Sequence, residues 1–356
     1  MKRICTILAA TVLTLSILTG CSEIGGYPGS HPSSRPNGGN SGSGSSSGQT
    51  PGSDSGSSSS GSDKDPAEAS PWKYLKTGYY DSSSDKVVYT GGISLTGYTG
   101  NALSGNVILP SKVDGQQVTE IGTSLFSGNS SITSVTIPEG VKYISYSAFK
   151  DCSQLTRVQL PSTLEIIRGY AFQNCQKLTN IKLPSGLRLI ESNAFEFDKN
   201  LTEITIPGSV KEIEYHAFCG CNRLAKLTLQ EGLESIGSSA FRSLSITELT
   251  LPSTVTYVDV QAFSGCTSLE RLIIRDSPAG SPNEQHTLTF EHCSLDLCLK
   301  LKDVYIPKRL TKIEIPFWVD LNHVYYGGTK EEWEKVNQVI ELPYSEIFYE
   351  SKMPAL

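Results

Sequence analysis

From Val118 to Ile313, apolar and polar positions follow one repeated phrase. Its clearest copy is Leu155-x-x-Val158-x-Leu160-Pro161-x-x-Leu164-x-x-Ile167-x-x-x-Ala171-Phe172-x-x-Cys175. Phenylalanines fall at 126, 149, 172, 195, 218, 241 and 263, a step of 23 residues five times and then 22. Prolines at 138, 161, 184, 207 and 252 keep the same beat, with Gln230 in the missing place. A fixed period of this length marks a solenoid, in which each unit buries its apolar face on its neighbours.

Each part of the phrase has a structural reading. In x-Val158-x-Leu160 the side chains alternate, so a short strand turns both aliphatics inward and their neighbours outward. Proline then ends the strand, because it has no N–H for a ladder. Leu164-x-x-Ile167 is a second aliphatic pair on the return side. Ala171-Phe172 sets a ring in the core beside a residue small enough for coils to stack. Leading strands begin at Ile132, Leu155, Leu178, Leu201, Leu224, Ile246, Leu269 and Leu301. Stacked strands lie about 4.8 Å apart, so eight coils predict a rod roughly 40 Å long.

The ends of the pattern predict covers for the exposed core. Before it, Val87-Val88-Tyr89, Ile93-Ser94-Leu95 and Val107-Ile108-Leu109 read as short strands separated by glycine turns. After Ile274 the rhythm breaks, and Asp276 to His286, with two prolines and no aliphatic period, predicts a bulging loop. The phrase resumes at Leu301-x-x-Val304-x-Ile306-Pro307. Thr329 with Glu332 forms a capping box that predicts a short helix, laying Trp333 and Val336 across the last coil.

The chain begins with Met1-Lys2-Arg3 and a mostly apolar run from Ile7 to Leu18, too short for a stable membrane span. It ends in Leu18-Thr19-Gly20-Cys21, which resembles the boundary of a bacterial lipoprotein signal, with Cys21 as the lipid attachment site. Ser22 to Ser70 is Gly, Ser, Pro, Asn and Asp with hardly an apolar side chain, a composition that predicts a disordered tether. The expected organisation is therefore a signal peptide over 1–20, lipidated Cys21 and tether over 21–70, an N-terminal cap over 71–116, the repeat solenoid over 117–320 and a C-terminal cap over 321–356.

Charge and cysteines narrow the chemistry. The chain holds 36 acidic and 30 basic residues, and loss of Lys2 and Arg3 with the signal leaves 36 against 28. That excess argues against an electrostatic nucleic-acid binder. Cys152, Cys175, Cys221, Cys266 and Cys293 each follow a phenylalanine by three residues, with Asn129, Asp198 and Leu244 in the same slot of other coils. A slot that accepts all four residue types reads as a turn position filled by small thiols, not as a metal shell or a disulfide framework. Cys293-x4-Cys298 matches no standard zinc spacing. Ser147-x-x-Lys150 flanks a core ring and has no partner motif, so no catalytic residues, cofactor or metal is expected.

Two outward columns flank the inward aliphatic of the leading strands. The first holds Ser134, Arg157, Asn180, Glu203, Lys226, Glu248, Arg271 and Asp303. The second holds Thr136, Gln159, Lys182, Thr205, Thr228, Thr250, Ile273 and Tyr305. From Glu203 to Asp303 the first column alternates in sign, which suits cross-strand pairing worth about 0.2–1 kcal/mol each. Arg157, Lys182, Glu203, Lys226, Glu248, Arg271, Asp303 and Tyr305 form the candidate partner-binding face.

The phrase Leu-x-x-Ile-x-Leu-Pro with Ala-Phe-x-x-Cys resembles the BspA-like (Treponema-type) leucine-rich repeats of bacterial surface proteins. Val324-Tyr325-Tyr326-Gly327-Gly328-Thr329 with Trp333 is similar to the end unit of that family, and Gly97-Tyr98-Thr99-Gly100 with Val118-Thr119-Glu120-Ile121-Gly122 to its opening. The resemblance implies a β-rich leucine-rich-repeat solenoid of about eight coils of 22–23 residues with caps at both ends. It implies a lipid-anchored, surface-exposed binding protein of the cell envelope, an adhesin or receptor and no enzyme. The implied partner is a host matrix or bacterial surface protein, with a glycan as the lesser choice. A structural or assembly protein of the envelope is the alternative. Gln230, Leu244, the shortened step and the 276–286 insertion depart from the pattern and bear on the continuity of the face toward the C-terminal end.

Overall fold

The computed structural model describes residues 70–81, 86–277, 287–313, 319, 321–336 and 344–351. The signal, Cys21 and the tether lie outside these residues, as do positions 278–286 of the insertion. All described residues belong to the unit Ser70–Leu356.

The chain winds as a β-solenoid with strands on two sides. The leading strands Ile132–Thr136, Arg157–Gln159, Asn180–Ile181, Glu203–Ile206 and Lys226–Leu229 pair in parallel, residue for residue between coils. The return strands from Tyr143–Ile144 to Leu310–Lys312 run in a second sheet, so Ile144, Ile167, Ile190 and Ile213 lie one above another. Val158, Leu164, Ile167, Ala171 and Phe172 are all buried.

The core is organised by its rings. Phe126, Phe149, Phe172, Phe195, Phe218, Phe241 and Phe263 form one continuous stack with centroids 5.0–5.5 Å apart. The preceding alanine explains how the rings come so close. From Phe126 to Phe241 the N–H of the ring residue donates to the alanine carbonyl of the next coil, as from Phe149 to Ala171 and from Phe172 to Ala194. A larger side chain at that alanine would hold the coils apart. Left-handed backbone recurs just before the alanine, at Ser147, Tyr170, Asn193, His216, Ser239 and Gln261, and turns the chain sharply into the core.

The caps extend the same sheets. Trp72–Asp81 and Lys86–Tyr98 form an antiparallel pair that joins the return sheet through Ile93↔Val118. Lys86–Tyr98 is one long strand, and Gly91 and Gly92 lie inside it, where the sequence pattern suggests a turn. Trp72 closes the ring stack edge-on, 6.4 Å from Phe126. At the other end, Leu321–Tyr326 and Tyr344–Phe348 add two parallel strands to the leading side. The helix Lys330–Val336 starts at the predicted capping box, with Thr329 N–H donating to Glu332 Oε2 at 2.8 Å and Glu332 N–H to Thr329 Oγ1 at 3.3 Å. Trp333 is buried against Tyr326.

The cysteine register needs one correction. Phe290 does not continue the ring stack; it pairs with Val258 in the return sheet. Phe263 N–H donates to Ser294 O, so Leu295 takes the ring place and Cys298, not Cys293, takes the cysteine slot. Cys293 instead occupies the left-handed turn position, with φ 59°. The bond from Phe263 to Ser294, where other coils use alanine, is the feature that settles this register.

Gln230 replaces proline for a physical reason. Its backbone N–H donates to Ile206 O at 3.1 Å and its side-chain oxygen accepts from Gly208 N–H at 3.2 Å, neither of which proline could do. Here the coils touch through Gly208 and Gly232, where a Cβ on either glycine would collide with backbone of the facing coil.

Candidate functional site

The outward columns of the leading strands lie where the period places them, except that Ile273 of the second column is buried. Arg157, Lys182, Glu203, Lys226, Glu248 and Arg271 are exposed, while Asp303 and Tyr305 are half-buried. Two column charges meet the next coil: Lys226 Nζ lies 3.9 Å from Glu203 and Arg271 Nη1 2.9 Å from Glu248. Asn180 adds a 3.0 Å bond to Glu203. Both ion pairs are largely exposed, so each stabilises the stack by no more than about 1 kcal/mol.

The columns are not one uninterrupted ladder. The leading side splits into one sheet ending at Lys226–Leu229 and a second beginning at Glu248–Leu251. Between Phe241 and Ile246 the turn is one residue shorter than between Phe218 and Leu224. The next strand is thereby drawn out of register, and just before it Ser245 N–H donates to Leu224 O and Ser245 Oγ to Asn222 O. Among the described ion pairs, none joins Lys226 to Glu248. The 276–286 insertion causes no such break, for Arg271↔Asp303, Leu272↔Val304 and Ile273↔Tyr305 remain paired across it. The return sheet is continuous past both places.

Beyond Asp303 the columns continue through residues that the sequence pattern assigned to the cap. His323 and Glu346 extend the first column, and Tyr325 and Phe348 the second. Tyr305 stacks on Tyr325 at 4.3 Å and Tyr325 on Phe348 at 5.2 Å. His323 Nδ1 lies 2.8 Å from Asp303 Oδ1. Burial, and then the neighbouring Tyr325, raise the Tyr305 hydroxyl above its ordinary value, so it stays protonated and able to donate. The signal for this extension was present in His323-Val324-Tyr325, which repeats x-Val-x in register with Asp303-Val304-Tyr305.

A second aromatic group lies on the turn side. Tyr146, Tyr170 and Tyr215 are 47%, 40% and 50% exposed. The guanidinium of Arg168 lies 5.7 Å from the Tyr146 ring centre and the Lys150 ammonium 5.4 Å from that of Tyr170. Gly169 makes room for the Tyr146 ring, which would stand 3.2 Å from an added Cβ.

Beneath these rings lies a buried polar network. Glu196 accepts from Gln173 and from Asn193 Nδ2 at 2.9 Å, and its other oxygen lies 3.3 Å from His216 Nδ1. Burial alone would raise this carboxyl, but the bonds from His216, Gln173 and Asn193 outweigh it and leave it below its ordinary value. Glu196, His216 and Cys219 have ligand atoms within 4.8 Å of one another. Glu196 spends its oxygens on the network, so the group reads as internal scaffolding.

The family described as a BspA type leucine rich repeat region matches the chain in six copies, over residues 106–221 and 188–318. No curated protein matches the chain. Among solved structures, the chain is similar to a leucine rich cell surface protein from Faecalibacterium prausnitzii A2-165, with 21% identity and a TM-score of 0.51 over 79% of this chain and 94% of that one. It is also similar to the leucine rich repeat protein of T. pallidum, with 29% identity and a TM-score of 0.42 over 59% of this chain and 82% of that one.

Proposed function

The chain belongs to the BspA-type leucine-rich repeat family, and from that premise we propose that it is a cell-surface binding rod that receives a protein partner on its leading-strand face. The observation that carries this reading is the C-terminal sector of that face. There an alternating polar column, Glu248, Arg271, Asp303 and His323, runs beside a stacked aromatic column, Tyr305, Tyr325 and Phe348. Tyrosine and arginine are enriched among the residues that dominate protein–protein affinity, and flanking charges set orientation and encounter rate. An adhesin or receptor for a host matrix or bacterial surface protein fits this surface. The lipoprotein-like start supports a membrane anchor through Cys21, and the Faecalibacterium neighbour is itself described as a cell surface protein.

The self-pairing of Glu203 with Lys226 and of Glu248 with Arg271 favours a second reading, in which the column serves the rod and the protein assembles with its own envelope. Protease shaving of intact cells separates the two, since loss of the domain requires that it face outward. The binding test is a screen of the full chain against immobilised matrix proteins and glycans, repeated with Arg271→Glu combined with Tyr325→Ala. Lost binding with an unchanged melting temperature supports the leading face. A folded double variant that binds as the parent does moves the site to a cap, a loop or the turn-side tyrosines.

A further inference from the structure

The slot three residues after the core ring holds a hydrogen-bond donor in most coils, Leu244 being the exception. Cys152, Cys175, Cys221, Cys266 and Cys298 each direct a thiol at the carbonyl of the ring residue one coil earlier, at 3.0–3.4 Å. In the first coil Asn129 does the same with its amide, donating to Leu103 O at 3.1 Å. The ring carbonyls that face such a donor accept twice. Phe149 O takes the Cys152 N–H at 3.2 Å and the Cys175 thiol at 3.1 Å. Phe195 O takes the Asp198 N–H at 3.3 Å and the Cys221 thiol at 3.0 Å.

Asp198 holds this slot in the coil between them, with 0% of it exposed. Its Oδ1 accepts from Cys175 N–H at 2.7 Å, and its Oδ2 has no partner. Phe172 O accepts the Cys175 N–H at 3.1 Å, and the register puts Asp198 at its second position. The groups facing Asp198 are already committed. The thiols of Cys175 and Cys221 point to Phe149 and Phe195. Glu196 is bound to His216, Gln173 and Asn193. The Lys199 ammonium stands over the Phe197 ring, 6.0 Å from its centre. A charged carboxylate here would be buried with one hydrogen bond and no cation, which is strongly unfavourable.

We infer that Asp198 is a neutral carboxylic acid in the folded rod, its Oδ2–H donating to Phe172 O in place of the thiol that other coils use. Burial moves this carboxyl well above the ordinary aspartate value of 3.8, against a smaller opposing effect of the Cys175 N–H. The thiols of Cys175 and Cys221 are likewise pushed up by burial and stay neutral beside it. The middle of the rod thus carries a proton-dependent rung. An acid whose folded value is raised contributes fully below its unfolded value, and the contribution is lost as pH rises toward the folded value. Across that window one bound proton changes the unfolding constant by about tenfold per pH unit.

The test uses the full chain with Asp198→Asn and Asp198→Cys, the second being the residue native to this slot in other coils. Urea unfolding followed upward from about pH 4 should show the unfolding constant of the parent rising relative to either variant, by about tenfold per unit until the folded value is reached. In the parent alone, carbon NMR of labelled aspartate side chains should show one carboxyl that keeps its protonated shift at neutral pH. A ratio of unfolding constants that stays flat with pH overturns the inference. So does a full set of aspartate carboxyls ionised at neutral pH.

Discussion

The ring of Phe172 lies on that of Phe195 with centroids 5.2 Å apart and planes 10° from parallel. On its other side Phe149 stands equally near, at 5.2 Å and 2°. Phe172 is thus held between two other rings, and the stack ties successive coils together.

Cutting Phe172 back to alanine should therefore cost about 3–5 kcal/mol, the range for removing a fully buried phenylalanine. Urea unfolding reads the loss directly. An unchanged midpoint would mean that Phe172 lies outside the core stack.

Arg309 is buried, and among the described residues its guanidinium donates to backbone carbonyls. Nη1 reaches Val255 O at 2.7 Å, while Nε and Nη2 reach the carbonyls of Arg275 and Pro252 at 3.3–3.4 Å. Burial lowers its pKa, with Asp276 and Glu231 opposing. Arg309→Met should lose about 3 kcal/mol or more, because each orphaned carbonyl costs about 1–3 kcal/mol. Arg309→Lys should recover less than half of that, since a point ammonium cannot fork to three oxygens. Recovery to the parent midpoint by lysine would show that charge, not the fork, is what matters.

Glu196 and Asp198 are two residues apart and should give stability opposite slopes with pH. The folded value of Glu196 is depressed from its ordinary 4.5, so its contribution is present above that value and lost as pH falls through the folded one. Glu196→Gln should flatten the acid side of the stability curve. An acid limb identical to that of the parent would remove the His216–Glu196 network from the account.

Cys21→Ala should abolish incorporation of labelled fatty acid and leave an uncleaved or soluble form. Normal labelling in that variant would place the anchor elsewhere.

Much of this architecture was legible because a solenoid repeats its packing along with its sequence. The 23-residue step placed Phe172 beside its counterparts, and the capping box at Thr329 located the helix. Phe290 misled because Phe-x-x-Cys293 copies the local phrase, while the stacking partner of Phe263 is fixed by the bond to Ser294, which no local spacing shows. The long strand Lys86–Tyr98 was hidden because Gly91 and Gly92 suggest turns, while its pairing with Trp72–Asp81 depends on contacts remote in sequence. The aromatic content of the C-terminal segment is compatible with either a ligand platform or a cap, and what extends the face is that the burial of His323-Val324-Tyr325 alternates as in a leading strand.

The parting of the leading sheet between Leu229 and Glu248 has a mechanical side. Strands of neighbouring coils are joined by hydrogen bonds directed along the rod, and in a repeat array each unit is held only by its neighbours. At this joint the leading strands contribute no ladder, so the return pairs Ser235↔Tyr257 and Ile236↔Val258, the stacked rings and the turn-side bonds carry the load. Pulled from its two ends in a force experiment, the rod should yield first between these coils. Extension should then proceed in two blocks of unequal length and not as a single cooperative unit.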